Sequence, residues 1–592
     1  MMEQFSDELP NMEDLKEFIE DETPSDVEKI EALTKVLSAV KKADKQSQME
    51  AIARLIAGRR DAAVKGKAES GVEARMLEDL AFYNGEDEIA STSAEYTKSR
   101  GVSGNLMSND NRAVDQTKCT EFFNITRPFT DAATARMGDI LLPAGDWNFS
   151  IKATPVPDLI IYKDSATPVK DELGNPVNNP DTGEQAVVGD FINQEIVIAD
   201  EKAKKAELRI RDQLIETNFH AECRKVIEDA GKLGTGILKG PIPRRVQTLT
   251  KTPEGVTQII YKIAPASERV SPFNFFPDPN CGNNVSDGSY VFERDYMTAR
   301  QLKELRDSPG YLAEEIDNVL EQGPGKVCLT QESMAVGRKT SDDDRYEIWY
   351  YTGDIKISEL AMYDQNVEFT EESDDHFVSA TFVLVNDTII KANVNPFTLA
   401  GDLPYDVFPW QRVEGSCWGV GVARHGRVPQ KMLLAGARAL MDNMSLSVAP
   451  IIGINRAALI PANNSWALRG GKLFYTREGS DVKSVSDAIT AVSIPSHQEE
   501  ITGIIQLALK MMEDSTGVTF LLQGQQGAAP DTVGGMQLVH QNATAFLRRV
   551  ARLYDEHITE PHIRRYYANL LKTGEEEEIG DARIEAVGSS AL

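Results

Sequence analysis

Apolar residues recur at helical spacing over much of the chain, which predicts long helices separated by polar segments. The first such stretch opens at Ser25, where Ser25 and Glu28 form a capping-box pattern, and is predicted to end near Gly58. The other stretches with helical spacing are 72–83, 128–142, 192–233, 428–447, 496–512 and 536–559. Residues 192–233 are predicted to form the longest helix, in which about 35 helical residues would measure roughly 50 Å.

Alternating apolar and polar residues indicate a β-rich middle third. Strand-like runs fill 237–300 and 345–395, with a helix inserted near 298–321. Residues 450–493 are also strand-like, with turns at Asn463-Asn464 and at Gly470-Gly471. Helices and strands in separate runs predict an α+β fold.

Three polar segments read as loops or insertions. Residues 84–118 are rich in Ser, Asn, Asp and Gly, and 154–190 form a surface insertion rich in Pro, Asn, Asp and Gly. Residues 523–535 are a Gly/Gln-rich loop between two helical stretches. No internal repeat is evident.

The composition of the chain argues against several classes of protein. The chain has 592 residues, with 63 basic and 92 acidic side chains and a net charge of −29. This charge argues against a protein that wraps nucleic acid on a basic face, because such binding depends on neutralising phosphates. The acidic N-terminus predicts no secretory signal, and no apolar stretch is long enough to span a membrane.

The cysteines do not form a metal or redox motif. None lies within four residues of another, and scattered single cysteines indicate buried thiols in a reducing compartment. The five positions are Cys119, Cys223, Cys281, Cys328 and Cys417.

Motifs for catalysis or cofactor binding are missing from the sequence. No Walker loop, dinucleotide fingerprint or nucleophile elbow is present. His557 and His562 straddle Pro561, which is the wrong arrangement for a helical metal pair, so both are predicted to be exposed or capping residues. The acidic run 342–344 is interpreted as solvated. The sequence therefore predicts no catalytic residue, no metal site and no cofactor.

Several motifs, in order along the chain, resemble those of bacteriophage portal proteins, the head-to-tail connectors, in particular of short-tailed phages. The resemblance covers about residues 70–575 and includes the C-terminal helices at 544–571. The motifs are NITRPFTD at 124–131, GDILLP at 138–143, LGTGILKGP at 233–241, SPFNFFPDP at 271–279, PWQRV at 409–413, WGVG at 418–421 and ALMDNMSLSVAP at 439–450.

The resemblance implies a homo-oligomeric ring, usually of twelve subunits, at one vertex of the capsid in the virion. Such rings assemble in the host cytoplasm with capsid and scaffolding protein. Double-stranded DNA passes through the channel without tight binding during packaging and ejection. The ring binds the terminase during packaging and tail or adaptor proteins afterwards, and it carries no catalytic site or cofactor. An acidic channel agrees with this, because phosphate repulsion disfavours tight contacts.

The resemblance also implies a portal-like α+β subunit, with long helices in the stem, wing and crown and a β-rich wing and clip. The expected organisation is an N-terminal acidic and helical segment at 1–70, a wing at 71–420, a stem helix at 421–449, a clip at 450–493, a second stem helix at 494–517, a channel loop at 518–535 and C-terminal wing or crown helices at 536–592.

Two sets of residues are predicted to contact partners. In the clip, a local basic set on an acidic protein indicates a docking surface for the motor or adaptor; its members are Arg456, Arg469, Lys472 and Arg477. In the channel loop, a flexible and mostly uncharged tip is predicted to contact DNA weakly; its members are Gln523, Gln525, Gln526 and Asp531.

Other interpretations stay open at this point. Arg548, Arg549 and Arg552 either pair with neighbouring acids or face DNA. The whole protein could instead be another capsid or scaffold-type structural protein, assembling into shells or sheets. A metal-dependent nucleic-acid enzyme with dispersed acidic ligands is a further alternative.

Overall fold

The structure is a computed structural model, and it describes most of the chain with gaps. The described residues are 26–86, 121–143, 147–154, 161–169, 187–251, 257–325, 345–363, 376–395, 403–448, 451–463, 466, 472–477, 479, 485–492, 495–519, 546–574 and 582–587. The channel loop 523–535, Arg469 and most of the insertion 154–190 lie outside these residues.

Helices and strands alternate in a mixed α+β chain, as predicted. The helices are α1 (Asp26–Glu69), α2 (Val72–Asn84), α3 (Thr126–Leu141), α4 (Val188–Glu216), α5 (Phe219–Leu233), α6 (Ala299–Leu305), α7 (Ala313–Gln322), α8 (Ile357–Ala361), α9 (Val422–His425), α10 (Arg427–Val448), α11 (Val485–Ala488), α12 (Gln498–Thr516) and α13 (Glu560–Thr573). The strands are β1 (Phe149–Ala153), β2 (Thr235–Lys251), β3 (Thr257–Val270), β4 (Phe275–Pro277), β5 (Tyr290–Thr298), β6 (Arg345–Lys356), β7 (Phe377–Val385), β8 (Thr388–Val394), β9 (Tyr405–Pro409), β10 (Ile451–Ile454), β11 (Leu459–Pro461), β12 (Phe474–Thr476), β13 (Ile489–Val492) and β14 (Ala582–Ala586). Residues 546–554 are also helical and lead into α13.

The chain divides into two compact units. Unit 1 comprises Met1–Val64, Arg294–Val327 and Asp344–Asn395, and unit 2 comprises Lys65–Glu293, Cys328–Asp343 and Pro396–Leu592. The predicted wing, stem and clip boundaries are finer than this division and stay predictions.

Unit 1 is built on the antiparallel strands β6, β7 and β8. Asn386 and Asp387 join β7 to β8, and both have positive φ angles, of 49° and 65°. Two such residues match the primed turn that the twist of a hairpin favours. Leu302 of α6 and Ile316 of α7 are fully buried against the apolar face of these strands, which closes the core of the unit.

Unit 2 holds the larger core. Antiparallel strands run in the order β3-β2-β9, and α3, α4, α5 and the helix at 546–554 contribute to the same apolar cluster. Helices α3 and α5 approach closely at Gly231, where an added Cβ would lie 2.3 Å from Thr134 Cγ2. Trp410 and Trp418 are both buried in this unit.

Two segments that are distant in the sequence form a separate ladder in unit 2. Strands β1 and β14 pair antiparallel, with Phe149 opposite Ala586 and Ala153 opposite Ala582. Phe149 and Ile151 point into the core, whereas the β14 partner strand contributes partly buried Ile584. The sequence analysis did not predict this pairing.

Helix boundaries differ from the predictions in three places. The predicted helix 192–233 is two helices, because Asn218 adopts a left-handed conformation with φ of 57° between α4 and α5. Helix α1 passes through Gly58 and ends at Glu69, and its last turns are stabilised by Lys67, which donates to three backbone carbonyl oxygens at 2.7–3.0 Å. Helix α12 begins after His497, not at a Ser496 cap.

The proline at 561 does not interrupt the C-terminal helix. A π-helical segment, Asp555–Thr559, lies immediately before it, and Pro561 sits in the first turn of α13. A π-helical turn shifts the i→i−4 hydrogen-bond ladder at this point, so a residue without an N–H is accommodated inside the helix. The helix therefore continues from 546 to Thr573 with one widened turn.

Candidate functional site

Helices α10 and α12 pack against each other as a helical hairpin. The segment that connects them, 451–492, contains the short strands β10 to β13. The helices approach closely at Gly436, where an added Cβ would lie 3.0 Å from Ile505 Cγ1. Their buried contacts include Ala508 and Met512 of α12, both fully buried. Both helices agree with the predicted helical stretches to within a few residues.

A second face of this hairpin is apolar and exposed. On α12, Ile504, Leu507 and Met511 repeat at helical spacing and are 44%, 51% and 38% exposed. On α10, Met441 and Met444 are each 46% exposed. We name the three α12 residues the α12 stripe. Contiguous exposed apolar residues of this kind mark an interaction surface.

The segment between the two helices forms two short ladders. Strand β10 pairs with β13, and β11 pairs with β12, with Leu459 opposite Thr476 and Pro461 opposite Phe474. Ala458, Leu459 and Ala488 form its small buried core. Leu473 and Tyr475 are 66% and 61% exposed on one face of β12.

The predicted basic residues of this segment lie at opposite ends of the β11–β12 ladder. Arg456 is exposed with its guanidinium 5.2 Å from the ring of Trp466, and the backbone N–H of Arg477 donates to Ala458 at 3.0 Å. Lys472 lies at the other end, where its ammonium donates to Asn463 Oδ1 at 2.7 Å. Although their backbones lie at opposite ends of the ladder, the charged groups of Arg456 and Lys472 lie over one aromatic pair, because the Lys472 ammonium is 5.8 Å from the ring of Phe474 and Phe474 packs against Trp466.

A protein-family model covers this hairpin and its neighbours. The model, described as phage SU10 portal protein, matches residues 256–583, which is more than half of the 592 residues. The chain belongs to the phage SU10 portal protein family. This confirms the resemblance to bacteriophage portal proteins found in the sequence. No curated protein matches the chain.

Within the portal family match lies a buried polar network that the sequence did not reveal. His562, predicted to be exposed or capping, is fully buried, and its Nδ1 donates to Asp406 Oδ2 at 2.6 Å. Its Nε2 lies 2.7 Å from Ser267 Oγ, and Arg565 also binds Asp406 Oδ2. The pKa of His562 is lowered by burial, although Asp406 opposes the shift, so the imidazole is neutral at pH 7.

The order Ser267, His562, Asp406 has the hydrogen-bond pattern of a nucleophile, a base and an orienting acid. Ser267 is fully buried on β3, and its Oγ also lies 2.9 Å from the hydroxyl of Tyr566. No substrate carbonyl can reach a hydroxyl enclosed in this way. The network instead attaches α13 to β3 and β9, and we treat it as structural.

A second network of charges joins α2 to α9 and α10. Arg424 and Arg427 both pair with Glu78, and Arg424 lies 3.4 Å from Asp79. Asp79 is only 1% exposed. Burial raises the pKa of Asp79 to about 7, against the opposing effects of Arg424 and Arg75.

Three of the cysteines are in the described residues, and all three are free and buried, as predicted: Cys223, Cys281 and Cys417. Cys281 and Cys417 are neighbours, and the interaction between their thiols lowers the pKa of Cys281 and raises the pKa of Cys417. Within the described part of the chain, no group of three His, Cys, Asp or Glu residues could hold a metal ion. No helix in that part is long and apolar enough to cross a membrane.

Proposed function

We propose that this portal-family protein forms a closed homo-oligomeric ring at one capsid vertex and that double-stranded DNA passes through the ring in packaging and ejection. The observation that carries the proposal is the α12 stripe, an apolar face that a lone subunit leaves in water. A neighbouring subunit in a ring would cover it, and the same contact repeated around an axis closes the assembly.

The energy available from this face supports assembly. Fully burying one large apolar side chain stabilises by about 1.5–3 kcal/mol. Ile504, Leu507 and Met511 are already about half buried. Covering the remainder would contribute about 3 kcal/mol for each subunit contact, before Met441 and Met444 of α10 are included.

A single charge on the stripe tests this. Leu507→Glu places a carboxylate in the proposed contact, so we expect rings to give way to monomers in native mass spectrometry and negative-stain microscopy. Gln506→Glu is the matched control, because Gln506 is exposed on the same helix but lies off the stripe. A wild-type protein that remains monomeric at all concentrations, or that forms shells or sheets, would contradict the ring. Intact rings in Leu507→Glu would show that the subunit contact lies on another face of the protein.

In this proposal α10 and α12 are the stem helices, and 450–493 is the clip that binds the terminase and then tail or adaptor proteins. The basic set predicted in the clip and the exposed Leu473 and Tyr475 support a docking surface. We expect Arg456→Glu/Arg477→Glu to weaken binding of the phage's terminase or adaptor subunits to preformed rings. Lys472→Glu tests the other end of the β11–β12 ladder. Unchanged binding in all variants would contradict the assignment of 450–493 as the segment that binds these partners.

The channel-loop role of Gln523, Gln525, Gln526 and Asp531 also stays a proposal. It is supported by glycine-rich, mostly uncharged composition and by position between α12 and the next helix. Deleting 524–529 should leave rings intact and alter DNA packaging or retention in particles. Unaltered packaging and retention would exclude the role.

A further inference from the structure

An arginine cluster lies on the outer face of the C-terminal helix, in a segment separate from the stem helices and the channel loop. Its members are Arg548, Arg549 and Arg552, and with Leu553 and Glu556 they line an open cavity of about 320 Å³. Positive charge concentrated in this way is unexpected in a chain with a net charge of −29.

The one acid among the described residues that line this cavity is already engaged. Glu556 lies 3.6 Å from Arg412, and the Arg412 guanidinium also contacts His557 Nε2 at 2.5 Å. Burial lowers the pKa of His557, and the charge of Arg412 lowers it further.

Two members of the cluster are left without an acid. Arg549 and Arg552 are exposed, and neither forms an ion pair within the part of the chain that the structure describes. The chain has 92 acidic and 63 basic side chains, so acidic partners are in surplus. The expectation that these two arginines pair with neighbouring acids is therefore wrong for the described residues. Their arrangement suits an anion from outside the subunit.

The scaffold that presents the cluster is well packed. Leu547, Val550 and Tyr554 on the opposite face are 0%, 2% and 0% exposed, and the ring of Tyr554 packs edge-on to Phe408 at 5.3 Å. The backbone that carries the arginines is therefore held in place, which reduces the entropy lost on binding.

We infer that the arginine cluster binds the phosphodiester backbone of duplex DNA. The inference rests on the proposed function, which supplies the DNA. Arg549 and Arg552, the two members without an acid in the described part of the chain, are three residues apart, about 4.5 Å along the axis. One strand of a duplex presents a phosphate about every 3.4 Å, so the cluster spans roughly two phosphates. Guanidinium groups bind phosphate oxygens through two parallel hydrogen bonds, which suits this contact.

The test compares salt dependence in assembled rings. Binding of a fluorescein-labelled 30-base-pair duplex is followed by anisotropy from low to physiological NaCl, for wild type and Arg549→Ala/Arg552→Ala. Each lost phosphate contact lowers the slope of log K against log salt by about 0.9. We expect the double variant to lose about two units of slope at each occupied subunit. Arg549→Lys/Arg552→Lys should retain most of the slope.

Arg564→Ala is the matched control, because Arg564 is exposed on the same helix outside the cluster. An unchanged slope in the double alanine variant would overturn the inference, and so would rings that fail to bind DNA at low salt. Loss of rings in that variant would assign the cluster to a subunit contact. If the double alanine variant weakened binding of labelled poly-L-glutamate more than binding of the duplex, the cluster would be assigned to the binding of an acidic protein. Native mass spectrometry of wild-type rings tests the proposed function separately.

Discussion

Replacing Asp406 with asparagine removes the negative charge at the centre of the buried network while conserving shape. Arg565 is 6% exposed on its side chain and would keep its charge. Its remaining acceptors are the carbonyl oxygens of Gly240 at 2.9 Å and Leu403 at 3.4 Å, which carry only partial charge. Removing one partner of a buried ion pair costs about 3–5 kcal/mol. We expect a loss of this size for Asp406→Asn.

Urea unfolding followed by tryptophan fluorescence measures this loss. Trp410 is buried one residue after β9, the strand that carries Asp406, so its emission reports on the affected region. The urea concentration at the midpoint of unfolding should fall by about 1–2 M, while the dependence of the free energy of unfolding on urea concentration stays unchanged. Ser267→Ala, which removes only the neutral hydrogen bonds to His562 and Tyr566, should cost about 1–3 kcal/mol.

Asp212→Asn provides the control, because it makes the same chemical change at an exposed position on α4. We expect Asp212→Asn to change the free energy of unfolding by no more than about 0.5 kcal/mol. Asp406→Asn could instead lower the free energy of unfolding by less than about 1 kcal/mol, with an unchanged dependence on urea concentration. The buried charge of Arg565 would then not require Asp406 as its partner. The account of the network as an ion pair that attaches α13 would then be wrong.

Three further predictions follow from the buried groups of unit 2. The folded protein keeps a proton on Asp79 up to about pH 7, whereas the unfolded chain releases it near 3.8, so stability should fall as pH rises between these values; Asp79→Asn should flatten thermal melting temperatures measured across that range, and an unchanged pH dependence would contradict the shifted pKa. Gly231→Ala should destabilise by about 1–3 kcal/mol in urea titrations, because its Cβ would overlap Thr134; a neutral effect would show that α3 and α5 can move apart. Treatment with diamide should join Cys281 to Cys417, seen by peptide mass mapping, because their thiols are close enough to shift each other's pKa; two separately alkylated peptides would refute it.

Helices with strong periodicity were predictable from the sequence. The predicted stretches at 72–83 and 428–447 agree with α2 and α10 to within a residue or two, because the apolar spacing that defines them is also what they bury. The break in 192–233 was not visible in this spacing, since the apolar pattern continues across Asn218. The signal was present in residue type, because asparagine is among the few residues that adopt positive φ readily.

The buried network could not be predicted from local pattern at all. His562 and Asp406 are 156 positions apart, and Ser267 is further still. Spacing around Pro561 gave no information on burial. Among the candidate contact residues, the β11–β12 register brings the backbones of Arg456 and Arg477 close together, and the grouping of both with Lys472 as partner contacts stays a prediction.

The β1–β14 ladder has a consequence for synthesis of the chain. Strand β1 leaves the ribosome 429 residues before Ala582 becomes available to pair with Ala153. At about 5–20 residues per second, that interval lasts roughly 20–90 seconds. During this time the backbone of β1 has an open edge, on which another nascent chain could add a strand. The N–H of Ile151 is already occupied by Glu207 of α4 at 2.8 Å, so α4 protects part of that edge once residue 216 has been made. Translation rate and chaperone supply are therefore expected to influence the yield of assembly-competent subunits.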